Sequence, residues 1–348
     1  PAVAVVPSKH FNTITYTGDG STNSITGVGF QPDFTWLKNR EYSTNNRLYN
    51  SLTYGGPYSA GTSGSKYLRS DTTEAELTGS HKSLISFDSD GFTVHSTGGD
   101  TNRASDSYVS WNWKANGSGS SNTDGGLTST VSANTDAGFS IVSYTGTGSN
   151  ATVGHGLSVT PEMIIVKNRE DAGMPWLVYH ASNTSAPETD YLLLNTEAAT
   201  TDYHTAWNDT APTSSVFSVG TADGTNKSSD GHIAYCFHSV DGYSKMGSFE
   251  GNNNADGVFV YLGFRPAYVM VKNVDSGGNF YIWNNKALGY NVDNNSIGTA
   301  YSSAENADDD IDLLSNGFKM RVANTEKNGT DTYIYMAFAE TPFKYSNA

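Results

Sequence analysis

The sequence predicts an all-β protein of three tandem antiparallel β-sandwiches, of jelly-roll or lectin-like type. Three observations carry this. One pattern occurs three times: "GFQPDFTWLKNR" at 29–40, "LSVTPEMIIVKNR" at 157–169 and "GFRPAYVMVKN" at 263–273. The apolar runs alternate with period two, so that in "FTWLKN" Phe34 and Trp36 point one way and Thr35 and Leu37 the other, and no stretch sustains a 3.6-residue period. Clusters of Gly, Asn, Asp and Ser bound nearly every run, as turns between antiparallel strands require. Self-similarity on this scale marks a chain of like units.

The repeated elements follow one order. Each copy opens on an aromatic strand and a Gly-rich turn, in which Tyr16, Tyr144 and Phe249 correspond and Gly18, Gly146 and Gly251 come two residues later. Next come Pro32, Pro161 and Pro266, expected to begin strands where a missing N–H costs least. The pairs Lys38-Asn39, Lys167-Asn168 and Lys272-Asn273 follow at the same 129- and 105-residue steps as the prolines. A short apolar run comes after each pair: "RLYN", "WLVY" and "FYIW". The stretches 71–78, 195–202 and 302–309 occupy like places and are expected to form a short helical turn or a loop. The copies close on "DSYVSWNWK", "DGHIAYCFH" and "DTYIYMAFA".

These stations place domains at 8–115, 136–240 and 241–345. Residues 116–135, rich in Gly, Ser and Thr, are expected to be a flexible linker. The second and third copies meet almost directly and are expected to lie closer together than the first two. The unequal connections speak against a regular pseudo-triad.

Composition narrows the function. The net charge of −15 argues against nucleic acid, whose phosphates need a basic footprint, and against anionic membranes. No run approaches a membrane span, and "PAVAVVPS" lacks the features of a secretory leader. The lone Cys236 lies in an apolar strand and reads as a small buried hydrophobe.

No nucleophile elbow, zinc-helix motif or phosphate loop is present, and the eight His show no metal spacing. No acidic position is expected to recur at a strand end in all three copies, so the chain reads as no enzyme. No cofactor is expected, with calcium considered on the acidic loops at 305–317, with Asp308, Asp310 and Asp312, and at 87–92, which reads first as a turn. Lys38, Lys167 and Lys272 read as strand-end lysines whose stems pack while their ammoniums pair with carboxylates; a contact to a partner subunit is the sharper alternative. Trp207-Asn208 and Trp283-Asn284 set an aromatic ring beside an amide, the pairing that suits a carbohydrate platform, against the alternative of buried loop anchors.

The three Lys-Asn segments, with "FDSDGFTV", "YVSWNWKA", the linker "NTDGGLTSTVSANTDAGFSIVSYTGTGS", "ATVGHGL" and the ending "YIYMAFAETPFKYSNA", resemble a family of triple-repeat virion or tail-fibre-like proteins of marine bacteriophages of the cyanophage type. The resemblance spans nearly the whole chain. It implies a structural virion protein made in the host cytoplasm, either a capsid decoration or cement protein or a globular tail-associated component. Its expected partners are other virion proteins, capsid or tail subunits, with a homo-oligomer allowed; the alternative is a receptor-binding, lectin-like module that recognises host surface glycans. No functional residue comes with the resemblance. Heptads, collagen-like runs and β-helix repeats are absent from the sequence, which favours a compact piece over a fibre shaft.

Overall fold

In the strand Phe34–Asn39 all six side chains are buried. Phe34, Trp36 and Lys38 lie on one face, and Thr35, Leu37 and Asn39 on the other. A strand buried on both faces lies between two layers of structure. The strands Met163–Asn168 and Phe264–Asn273 hold the same position. The computed structural model describes residues 5–55, 65–79, 83–95, 99–287, 291 and 293–342.

The described residues form antiparallel sheets, and their helices are single turns: His204–Trp207, Asp223–Asn226 and Thr325–Asn328, with two shorter 3-10 turns. In the first sheet Phe11–Thr17, Ser107–Trp113, Phe34–Asn39 and Arg47–Asn50 lie side by side in that order. The order Phe139–Thr145, Gly231–Phe237, Met163–Asn168, Leu177–His180 lies within the second sheet. The third contains Ser244–Glu250, Thr332–Pro342, Phe264–Asn273, Tyr281–Asn284. Each closing strand thus lies between the opening strand and the Lys-Asn strand.

The outer face of each sheet packs on a smaller layer. Thr22–Thr26, Leu84–Asp88 and Gly91–His95 cover the first, Ala151–Gly154 and Val216–Val219 the second, and Phe259–Tyr261, Asn306–Leu314 and Gly317–Met320 the third. Each outer face has its own core, around Leu37 and Phe92, Val166 and Phe217, and Val271 and Phe318. The inner faces share a single core that joins Phe34, Trp36 and Trp111 to Ile165, Tyr235, Tyr268, Met270 and Met336. At its centre Trp113, Phe237 and Phe338, one from each closing strand, form a triangle of edge-to-face rings. Their centroid separations are 6.3, 5.6 and 6.1 Å. Such contacts add ~0.5–1.5 kcal/mol each beyond the area they bury.

Several expectations change. Residues 116–135 are an ordered part of the fold. Ser120–Asn122 pairs with Ser129–Asn134, which pairs in turn with Phe139–Thr145 and extends the second sheet. Asp33 accepts hydrogen bonds from the Ala115 and Gly117 N–H groups, and the Asn116 N–H donates to Ser132 Oγ. The serines and threonines that read as a linker therefore satisfy a hairpin. The first two stretches are not held apart, since Phe34 stacks on Tyr235 at 4.3 Å. Pro32 and Pro161 are buried two residues ahead of their strands, but Pro266 lies inside Phe264–Asn273, where the ladder shifts register on either side of it. A bulge accommodates the missing donor. Of the two alternatives for 71–78, 195–202 and 302–309, the loop is found, ending in strand segments.

Because one core serves all three sheets, Trp113→Ala should lower stability by ~3–5 kcal/mol. Denaturant unfolding should keep a single transition. Trp113→Phe, which installs the residue found at 237 and 338, should cost clearly less. Loss of signal from one sheet alone would contradict a shared core.

Candidate functional site

The recurrent polar residues gather where each Lys-Asn strand ends. Lys38, Lys167 and Lys272 are fully buried on the inner faces. Their ammoniums donate to backbone carbonyls, not to carboxylates. Lys38 Nζ reaches Asn39 O at 2.9 Å, Tyr42 O at 3.4 Å and Ser302 O at 3.2 Å. Lys167 Nζ reaches Met174 O at 2.8 Å and Thr73 O at 3.3 Å. Lys272 Nζ donates to Gly278 O. Burial pulls all three pKa values down to about 8, against the pull of nearby carboxylates.

Each node docks on a loop from another stretch of the chain. The Glu305 N–H donates to Arg40 O, the Glu76 N–H to Arg169 O, and the Thr200 N–H to Val274 O, at 2.7–2.9 Å. Arg40 pairs with Glu305 at 2.8 Å and Arg169 with Glu76 at 2.6 Å. Val274 and Thr200 hold the third place without an ion pair. The loops are those of 71–78, 195–202 and 302–309. The first sheet thus docks on the third, the third on the second and the second on the first, which closes a ring.

The asparagines explain the rest of the pattern. Asn39, Asn168 and Asn273 each donate from Nδ2 to Asp106, Asp230 and Asp331, at 2.7, 2.9 and 2.8 Å. Each Oδ1 accepts the N–H groups two and three residues on, which fixes the turn. An acidic position therefore does recur at a strand end in all three stretches, contrary to the sequence reading. It was legible as the Asp that opens each closing strand, and its role is to hold the turn.

Asn102, Asn226 and Asn328 were missed. They lie three or four residues before those aspartates, and their Oδ1 atoms accept the N–H groups of Asp19, Thr147 and Asn252. Gly18, Gly146 and Gly251 donate to the carbonyls of the same aspartates at 2.9 Å. A Cβ on any of them would come within 2.1–2.3 Å of a backbone oxygen, so only glycine fits. Tyr16 stacks on Tyr108, Tyr144 on His232 and Phe249 on Tyr333, with ring planes within 15°.

Two further bonds join the sheets, at Asn50 and His180. Asn50, His180 and Asn284 face Phe34, Met163 and Tyr268 across the ladder. Asn50 Nδ2 donates to the Tyr235 hydroxyl at 3.1 Å. His180 Nδ1 accepts from the Ser182 N–H, so the ring proton sits on Nε2 and is donated to Tyr335 O at 3.2 Å.

The carbohydrate platform does not form. Trp207 is buried, donating from Nε1 to Asp190 O at 3.0 Å against the edge of Tyr179. Trp283 is buried beside the Lys327 ammonium, and Asn284 is buried with it. Only Asn208 reaches the surface region, half-buried at the end of the single helical turn. The apolar rings outweigh the amide signal because each completes a core. The acidic run 305–317 is not a calcium loop, since Asn306–Leu314 is a strand. Asp310 pairs with buried Lys327, and Asp312 lies 3.5 Å from Arg321. The Asp308 side chain lies outside the described residues. Among the described residues no group of three His, Cys, Asp or Glu is placed to hold a metal. Cys236 is buried, and burial pushes its thiol up to about 12.

Comparison with known families decides the affiliation. The chain belongs to the DUF7483 family. The match, to a domain of unknown function, covers residues 6–342 and thus all three sheets together. No curated protein matches the chain.

Asn168→Ala strips partners from two N–H groups and the Asp230 carboxylate, and should cost ~1–3 kcal/mol in denaturant unfolding. Burial holds the His180 pKa down at about 4, below its ordinary 6.5. Between these values the unfolded chain binds more protons, so this stabilisation is complete above about pH 6.5 and lost as pH falls toward 4. The melting temperature should fall from pH 7 to pH 5, and fall less in His180→Asn, which installs the residue found at 50 and 284. Equal pH slopes in the two proteins would contradict this role.

Proposed function

We propose that this protein is a structural, non-catalytic component of a bacteriophage particle surface. It would be a capsid decoration or cement protein, or a globular tail-associated piece, made in the host cytoplasm and partnered by capsid or tail subunits. On this reading the chain is a fused trimer: three tandem jelly-roll-like β-sandwiches closed about a pseudo-threefold axis. The observation that carries it is the ring itself. One strand order occurs three times, three equivalent aromatic rings meet at the centre, and each Lys-Asn node docks on the next loop in cyclic order.

A fused trimer presents three like surfaces around one axis and so suits a threefold position in a larger shell, which one chain would occupy alone. The recurrent polar residues also support a structural role, because the Lys, Asn and Asp of every node are spent on hydrogen bonds that hold the turns and, at Lys38 and Lys167, reach a neighbouring stretch. The phage resemblance supplies the setting, and the acidic surface fits a particle exterior better than a contact with packaged nucleic acid. Recognition of host glycans remains as the second reading, now without its two tryptophans; the half-buried Asn208 is what still favours it.

Quantitative mass spectrometry of purified particles should find the protein at a fixed copy number. A cryo-EM map should place its axis on or near a threefold position of the shell or the tail. Absence from purified particles overturns the proposal.

A further inference from the structure

One groove has no part in the ring. Its floor is the outer face of the paired strands Ala151–Gly154 and Val216–Val219, where Thr152 stands opposite Ser218 while Val153, Phe217 and Val219 turn into the core. The turn at Thr147–Asn150 forms one wall and the loop Asn208–Thr210 another. The segment at Gly126–Leu127 closes a third side, with its Leu127 N–H donating to Thr152 O at 2.9 Å. The groove is open to solvent, with a volume of about 570 Å3, and its lining carries no charge, exposed Asp209 of the wall loop not being part of the lining. Its polar groups are the hydroxyls of Thr147, Thr152, Thr210 and Ser218 and the amides of Asn150 and Asn208.

The loop is held firmly. Asn208 and Asp209 both adopt left-handed backbone angles, with φ of 55° and 43°, which non-glycine residues rarely take in succession. Trp207 anchors them by plugging the core below, and Thr210 Oγ1 donates to Asn208 O at 2.7 Å. Asn150 Nδ2 donates to Asn208 Oδ1. That bond leaves the Asn208 amide nitrogen and the Asn150 amide oxygen without a partner among the described residues, one donor and one acceptor on the same wall.

We infer that this groove binds a neutral saccharide. Amides and hydroxyls both donate and accept, which matches the paired donor and acceptor character of sugar hydroxyls. A phosphate or a carboxylated sugar would find no positive charge in the lining, and the chain's net charge of −15 further disfavours anions. Among the described residues the corresponding floors of the other two stretches differ. At the corresponding floor positions Ser24 and Thr93 bond to each other, and Phe259 stands opposite Lys319, which is paired with Asp256. The inference does not depend on where the protein sits in a particle.

The test is saturation-transfer NMR on the full chain with galactose, glucose, mannose and N-acetylglucosamine, and with glucuronic acid as the charged comparator. At least one neutral sugar should give saturable transfer. Asn150→Ala should weaken it about tenfold, as expected for one lost hydrogen bond to a hydroxyl. Asn208→Gly should do the same while keeping the left-handed backbone, so a folded variant is available even if one substitution perturbs the loop. Ser24→Ala, on the corresponding floor of the first stretch, should leave binding unchanged. No transfer from any neutral sugar, transfer that survives both groove substitutions, or transfer from glucuronic acid alone would overturn the inference.

Discussion

Everything else in this molecule depends on the burial of both faces of its three main sheets. A sheet with one apolar face can rest against a single covering layer, but here the inner faces carry Trp36, Trp111, Tyr235, Tyr268 and Met336, which need cover as much as the outer ones do. Two sheets would leave an open side to water. Three close the space, and Trp113, Phe237 and Phe338 fill its centre with rings that meet edge to face. The hydrophobic term is roughly proportional to the area removed from water, so each sheet gains its inner burial only when the other two are present. The hairpin from 116 to 135 serves this closure by fastening the first sheet to the second through Asp33 and Ser132.

Closing such a ring brings strand ends and loops into the interior, where every backbone donor and acceptor needs a partner. The Lys-Asn pairs answer that need. The lysine ammonium gathers carbonyls from its own turn and, at Lys38 and Lys167, from the neighbouring stretch, while the asparagine satisfies two N–H groups and ties the turn to the closing strand. The desolvation of the three ammoniums costs free energy, visible in their lowered pKa values. In return the docking of each loop is set by directed bonds rather than by apolar contact alone. Glycine is required beside these nodes because the opening strand passes within contact of the backbone that precedes each aspartate.

The ring is regular within and irregular without. The central positions correspond closely, yet the outer layers differ: a strand where the first and third stretches need one, a single helical turn with its Trp207 anchor in the second. The third alone exposes Phe259 and Tyr261 on an edge strand, at 44% and 58%.

The sequence alone determined the all-β class, the antiparallel alternation, the burial of Cys236 and the matched stations, because period-two patterning and turn chemistry act over a few residues. It also exposed the Lys-Asn pairs, though not what they hold, since a lysine's partners lie up to 264 residues away. Three things were left to the tertiary structure. The inner face of each strand looks the same in sequence whether it meets a helix, a loop or another copy of itself, so the shared core was not legible. A run of Gly, Ser and Thr satisfies a hairpin as well as it fills a linker, and only its pairing with Phe139–Thr145 distinguishes the two. At Trp207-Asn208 the residue types signalled a sugar platform, but burial divided the pair: the ring's large apolar area went into the core, and the amide stayed at the rim of a groove whose other walls come from distant parts of the second stretch.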